Sequence, residues 1–273
     1  ALSLAIAAML VLMTSPISLG QQGTSVYEGD WPSWAGSSNA SRYSPLDQIT
    51  AENVEDLEIA WRWSTQGFGP GTDFVNPSTP LEIDGVLYAN VGTTRNVVAL
   101  DATSGQVLWM YRYDEGTRFD EAPRKGAGRG VSYYNNGEKS RIFDISPGYQ
   151  LVSLDPATGI PDPSFGEDGL VDLYVGVRNG DDPRFAYPDI GISAPPFIMN
   201  DVIVVGAAHR TGGRPRAKLN TKGDIRGFDV HSGELLWTFH TIPARGEYGY
   251  ESWISGNDIT GNSGVWAAIS GDP

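Results

Sequence analysis

At 273 residues, with 40% apolar and 11% aromatic side chains, the chain has enough apolar surface for a sizeable core and too much to stay disordered. Its net charge of −14 repels phosphate backbones and anionic lipid heads, which speaks against a nucleic-acid or membrane-surface partner. The lack of cysteine excludes a disulfide framework, a zinc cluster, a catalytic thiol or a lipid-bearing cysteine within these residues.

The first twenty residues hold an apolar run from Ala1 to Met13, then a Ser15-Pro16 break, with no charge before Glu28. The run is shorter than the roughly 18 apolar residues that span a bilayer. It ends in small residues at Ser18 and Gly20, so residues 1–20 read as a secretory signal and residues 21–273 as an exported, periplasmic chain. The run has neither an initiator Met nor a basic leader, and residues 267–273 fall in what reads as a strand and turn. The sequence is therefore expected to be the N-terminal part of a longer protein.

The 34 glycines and 18 prolines interrupt the chain every few residues, which predicts many short strands and an all-β fold. One pattern occurs three times, as VVALDATSG, LVSLDPATG and IRGFDVHSG, in which Asp101, Asp155 and Asp229 each precede a glycine by four residues. The carboxylate of each Asp can accept backbone N–H groups of its own turn, and the glycine (Gly105, Gly159, Gly233) can take the positive φ that closes it. Trp109 and Trp237 each follow their Asp by eight residues, a repeated docking position. TPLEIDGVLY from Thr79 and PPFIMNDVIV from Pro195 match in register upstream of two of the turns. Two short strands, a polar turn and the Asp-to-Gly hairpin make a four-stranded propeller blade, so the chain is expected to form about three to four blades of an incomplete β-propeller. The Asp residues are 54 and 74 apart, longer than a minimal repeat, which assigns residues 111–140 and 207–223 to loops. Leu57–Thr65 resembles the outer strand of a further blade whose other strands would come from elsewhere.

Among charged residues, Arg118, Arg124, Lys125 and Arg129 crowd the segment RFDEAPRKGAGRG in an otherwise acidic chain. His231 and His240 read as structural, and Asp181 and Asp182 as solvated loop charges. No Gly-x-Ser-x-Gly elbow supports a nucleophilic serine.

The segments GDWPSWAGSSNASRYSPLDQITAENVEDLEIAW, RGVSYY, IRGFDVHSGELLWTFHTIP and NSGVWAA, in this order from Gly29 to the last residue, resemble the quinoprotein alcohol and glucose dehydrogenases. The glucose-dehydrogenase branch is the most similar, although this chain has a signal where membrane-bound members carry several spans. The resemblance implies an eight-bladed propeller holding pyrroloquinoline quinone (PQQ) and a calcium ion. It implies that Arg129 contacts the quinone with Lys125 nearby and that Trp266 forms the floor under the ring, while Trp253 reads as structural. His209 and Arg210 stand where relatives place a carboxylate ligand of calcium, so they are expected to meet quinone or substrate oxygens and to leave no metal ligand here. Pro77 in NPST stands where the family often has a Glu.

The activity implied is oxidation of an alcohol or sugar hydroxyl, with electrons passing to a quinone or cytochrome acceptor. The catalytic Asp is expected beyond Pro273, so these residues alone are expected to be inactive. The competing reading is a non-catalytic envelope propeller that binds other proteins. It shares the docking turns but gives no reason for Arg129 and Trp266 in these contexts.

Overall fold

A computed structural model describes residues 29–181, 186–210, 218–261 and 263–272. The expected signal segment 1–20 lies outside the described residues, as does Asp182.

The first blade is β1 (Leu81–Ile83), β2 (Val86–Val91), β3 (Asn96–Asp101) and β4 (Val107–Tyr111), paired in that order as antiparallel neighbours. A short helix α1 (Thr117–Glu121) lies in the connection to the second blade, β5 (Ser132–Asn135), β6 (Ser140–Ile145), β7 (Gln150–Leu154) and β8 (Leu170–Asp172). After β9 (Ile190–Gly191) come β10 (Phe197–Met199) and β11 (Val202–Val205), then β12 (Ala208–His209), β13 (Ile225–Asp229) and β14 (Leu235–Phe239). The third blade is β10-β11-β13-β14, and β9 pairs with β12 as a separate two-stranded ribbon. No helix among the described residues is long and apolar enough to cross a membrane.

Local chemistry explains the hairpins. Asp84 and Gly85 (φ 52 and 78) and Asn200 and Asp201 (φ 51 and 59) form two-residue loops with both central φ values positive, the conformation whose twist matches the flanking strands. In the three Asp-to-Gly turns the Asp Oδ1 accepts the backbone N–H and the hydroxyl of Ser104 (2.7 and 2.7 Å), Thr158 (2.9 and 2.8 Å) or Ser232 (2.7 and 2.9 Å). The Ser104 hydroxyl, together with its N–H, holds the Asp101 carboxyl below its ordinary value.

These turns are sockets. The Trp61 indole N–H donates to the Ala102 carbonyl at 3.1 Å, and that of Trp109 to the Pro156 carbonyl at 2.8 Å, the residue after the turn Asp in both cases. Each ring lies on the turn glycine, so a Cβ at Gly105 would come within 2.5 Å of Trp61 and one at Gly159 would strike Trp109. The second blade has no Trp at this offset, and Val171 and Phe165 fill the place on Gly233 instead. Trp237 keeps the cross-strand register of Trp109, paired with Gly227 as Trp109 is with Ala99, yet it is 41% exposed.

Strands buried on both faces bind the blades together. One cluster joins Leu81, Val97 and Ala99 of the first blade to Ile142, Val152 and Leu154 of the second. Another joins Phe143, Ile145 and Leu151 to Ile198, Ile203 and Phe228 of the third. Alternate residues of one strand serve opposite interfaces, as the two-residue period requires: Ile142 faces back and Phe143 forward. Leu57–Thr65 has no strand pairing among the described residues, although its Trp61 and Trp63 cover Val98 and Leu100.

The loop expected over 111–140 is corrected at its end. Residues 132–135 are the inner strand of the second blade and 136–139 its turn, where Asn136 Oδ1 accepts the N–H groups of Glu138 and Lys139 (3.0 and 2.9 Å). This blade lacks the proline-led pattern of the other two, so the repeat did not reveal its first strands. Residues 208–209, expected in a loop, form β12.

Candidate cofactor site

The β2–β3 turn (92–95), the β6–β7 turn (146–149) and the described connecting residues 112–131, 173–181, 186–196, 206–210 and 218–224 gather at one end of the sheets, opposite the docking turns. The segment 122–130 is laid into this end. Its Gly126 N–H donates to the Thr93 carbonyl at 3.2 Å, and its Gly130 N–H to the Asn90 Oδ1 at 3.1 Å. Arg129 is held by its backbone, its N–H donating to the Ser193 carbonyl (2.8 Å) and its carbonyl accepting from Thr79 N–H (3.0 Å).

The Arg129 guanidinium lies 5.0 Å from the centre of the Trp266 ring. Trp266 follows a strand of chain that runs along the third blade, with the Val265 carbonyl against Gly206 and Gly264 against the Ala207 carbonyl. Its indole is 54% exposed, so a flat apolar wall reaches solvent beside a cation. Burial lowers the pKa of Arg124, and the like charge of Arg129 lowers it further, which places two cations close together.

The other sequence candidates are placed differently. Lys125 is exposed, donates from Nζ to the Asp120 carbonyl (2.7 Å) and lies 4.9 Å over the Phe119 ring, inside its own loop. Arg118 is drawn to the second blade, where it forms a two-pronged pair with Asp172 at 2.5 and 3.0 Å. His209 is buried, and its Nε2 lies 2.9 Å from the Thr221 carbonyl, which can only accept, so Nε2 carries the proton. Burial pushes this imidazole below its ordinary value, against the opposing pull of the Thr221 carbonyl, and it is neutral at pH 7. Arg210 pairs with Asp189 at 3.3 Å and donates to the Glu121 carbonyl at 3.3 Å. Trp253 lies in a 3-10 turn at Tyr250–Trp253.

Beneath this surface lies a pair that the sequence reading passed over. Arg95 is 1% exposed and donates to four carbonyls: Arg124 (2.7 Å), Gly126 (3.2 Å), Ile145 (2.8 Å) and Ile192 (2.6 Å). Asp144, 2% exposed, accepts the Tyr113 hydroxyl at 2.9 Å. Burial pushes Asp144 up to about 6, although the charge of Arg95 and the Tyr113 hydroxyl pull it down. A positional signal was available. Arg95, Tyr149 and Gly223 each precede a docking Asp by six residues, and Tyr149 also reaches the next blade, through its hydroxyl to the Gly206 carbonyl at 2.8 Å.

This surface fits a flat polycarboxylate. A planar guanidinium pairs with a carboxylate through two parallel hydrogen bonds, and an indole face stacks on a conjugated ring. Calcium fits less well. At 208–210 the chain presents a neutral imidazole and an Arg already paired with Asp189, and the described residues contain no group of three His, Asp or Glu that could hold a metal ion.

Comparison with known proteins finds relatives along most of the chain. The chain is 28% identical over 264 residues to the glycerol dehydrogenase large subunit of Gluconobacter oxydans, covering 92% of this chain and 34% of that one. It is 30% identical over 230 residues to the quinoprotein glucose dehydrogenase of Escherichia coli, covering 78% and 27%. Among solved structures, quinohemoprotein alcohol dehydrogenase ADHIIG of Pseudomonas putida superposes with a TM-score of 0.60 at 28% identity, covering 80% of this chain and 27% of that one. That of Comamonas testosteroni gives 0.59 at 23%, covering 79% and 28%, and supports the fold alone. The chain thus spans only 27–34% of the length of these relatives. Relatives named for glycerol and for glucose stand at 28% and 30%, so identity does not separate the substrate branches. With residues 31–273 matching the PQQ family described as glucose/ethanol/alcohol dehydrogenase, β-propeller domain, the chain belongs to that quinoprotein dehydrogenase family.

Proposed function

We propose that the complete protein is a PQQ-dependent dehydrogenase that oxidises an alcohol or sugar hydroxyl in the periplasm and delivers electrons to a quinone or cytochrome acceptor. The observation that carries the proposal is the Arg129 guanidinium 5.0 Å from the centre of a half-exposed Trp266 ring, in a member of this family. When bound, the quinone supplies the hydride acceptor, and the protein supplies orientation and charge. Arg129, with the Arg124 charge beside it, binds a cofactor carboxylate and offsets its negative charge. Trp266 fixes the plane of the ring. Neutral His209 donates from Nε2 to the Thr221 carbonyl, which leaves Nδ1 as an acceptor. The base that takes the substrate proton belongs to chain beyond these residues, so the 273 residues alone are inactive.

PQQ titrated into the full-length protein is expected to quench tryptophan fluorescence saturably. Arg129→Ala should weaken binding roughly ten- to hundredfold, the loss of one charge-assisted hydrogen-bonded pair. Absence of saturable binding to the full-length protein would refute the proposal and favour a non-catalytic propeller. Turnover by the 273-residue chain with added quinone and calcium would refute its inactivity.

A further inference from the structure

Arg95 holds the backbone on which Arg129 is mounted, and we propose that it is a positioning residue for cofactor binding. The inference rests on the reading of Arg129 as the cofactor's partner. The guanidinium grips both sides of the Arg129 anchorage. On one side it binds the Arg124 and Gly126 carbonyls, three to five residues before Arg129. On the other it binds the Ile192 carbonyl, next to the Ser193 carbonyl that receives the Arg129 N–H at 2.8 Å. Its fourth bond, to the Ile145 carbonyl, ties both to the rigid end of β6 in the second blade.

The surroundings match a guanidinium in shape and in acceptors. Gly128 lies so close that a Cβ there would come within 2.8 Å of the Arg95 Nε, so its glycine leaves room for the guanidinium and takes the φ of +78 that turns the segment over it. Burial lowers the Arg95 pKa and the Asp144 charge of the second blade opposes that shift, while Asp144 is itself fixed by the Tyr113 hydroxyl. A neutral residue would leave carbonyls of three segments without their shared donor in a place sealed from water, where each lost hydrogen bond has its full cost. Lys carries the same charge on a single atom, and its three protons cannot reproduce five donors spread over a planar fork. Backbone bonds from Gly126 to Thr93 and from Gly130 to Asn90 tie the segment 122–130 to the first blade, the Arg129 N–H ties it to Ser193, and Arg95 adds a bond to the end of β6 in the second blade. Arg95 touches neither substrate nor cofactor in this scheme. It acts through the position of Arg129.

The test uses Arg95→Lys and Arg95→Gln in the full-length protein, with quinone affinity and hydrogen exchange of the cofactor-free protein as separate readouts. In Arg95→Lys the quinone dissociation constant is expected to rise roughly tenfold or more, with exchange accelerated at 124–130 and 190–193 and unchanged at 202–205. Arg95→Gln should show the same pattern more strongly. If Gln prevents folding, Lys decides alone. Wild-type affinity in a folded Arg95→Lys protein overturns the positioning role while leaving the functional reading intact, and so does faster exchange spread evenly over all three blades. A wild-type protein that binds no quinone overturns the functional reading and this inference with it.

Discussion

Gly159→Ala and Gly137→Ala share one cost and differ in another, which isolates the docking of a tryptophan into a blade turn. Both glycines have positive φ, 69 and 87, and an alanine there carries a left-handed penalty of about 1–2 kcal/mol. A Cβ at Gly137 meets nothing within 4 Å, whereas one at Gly159 strikes the Trp109 ring. Trp109 has little room to withdraw: its N–H is bonded to Pro156 at 2.8 Å and its ring packs on Tyr88 with centroids 6.0 Å apart. Forcing a methyl group into such a contact costs about 1–3 kcal/mol more. Gly159→Ala should therefore destabilise the full-length protein by about 2–5 kcal/mol in urea denaturation, and Gly137→Ala by about 1–2. In a Trp109→Ala background the obstacle is gone, and Gly159→Ala should fall to the Gly137→Ala value, a coupling of about 1–3 kcal/mol in the mutant cycle. Equal losses for the two single variants, or an unchanged loss for Gly159→Ala without Trp109, would refute the socket as an energetic contact.

Two buried groups should tilt stability with pH in opposite directions. Asp144 rises from an ordinary 3.8 to about 6 on folding, so between these values the folded state holds more protons. Its contribution therefore improves as pH falls from about 6 towards 3.8, by on the order of 2–3 kcal/mol across the window. Asp144→Asn should remove that slope from denaturation midpoints measured between pH 4 and 7, and an unchanged slope would count against burial as the cause. His209 is lowered from 6.5, so the folded state holds fewer protons and stability declines as pH falls through 6.5. His209→Gln should abolish that decline, and its persistence would place its origin elsewhere.

The sequence by itself determined the repeat. The Asp-to-Gly spacing announced three turns because a carboxylate accepting N–H groups of its own turn, and a glycine at positive φ, are local requirements. The shared offset of Trp109 and Trp237 announced a docking position that Trp109 fills, while Trp237 is 41% exposed, and the arginine-rich segment stood out by its contrast with an acidic chain. The inner strand of the second blade was hidden because it lacks the proline that marks the other two. What only the tertiary structure decided is which charges face which partners. Four cations within twelve residues read alike in the sequence, yet Arg118 is taken by Asp172, Lys125 by its own loop, and Arg129 meets a ring 137 residues further along the chain. The place of Arg95 six residues before its turn Asp marked the position but not its partners, since the carbonyls it binds come from 29 to 97 residues away and converge only when the blades pack. A turn is a property of four or five adjacent residues, while a cation's partner is a property of the packed sheets.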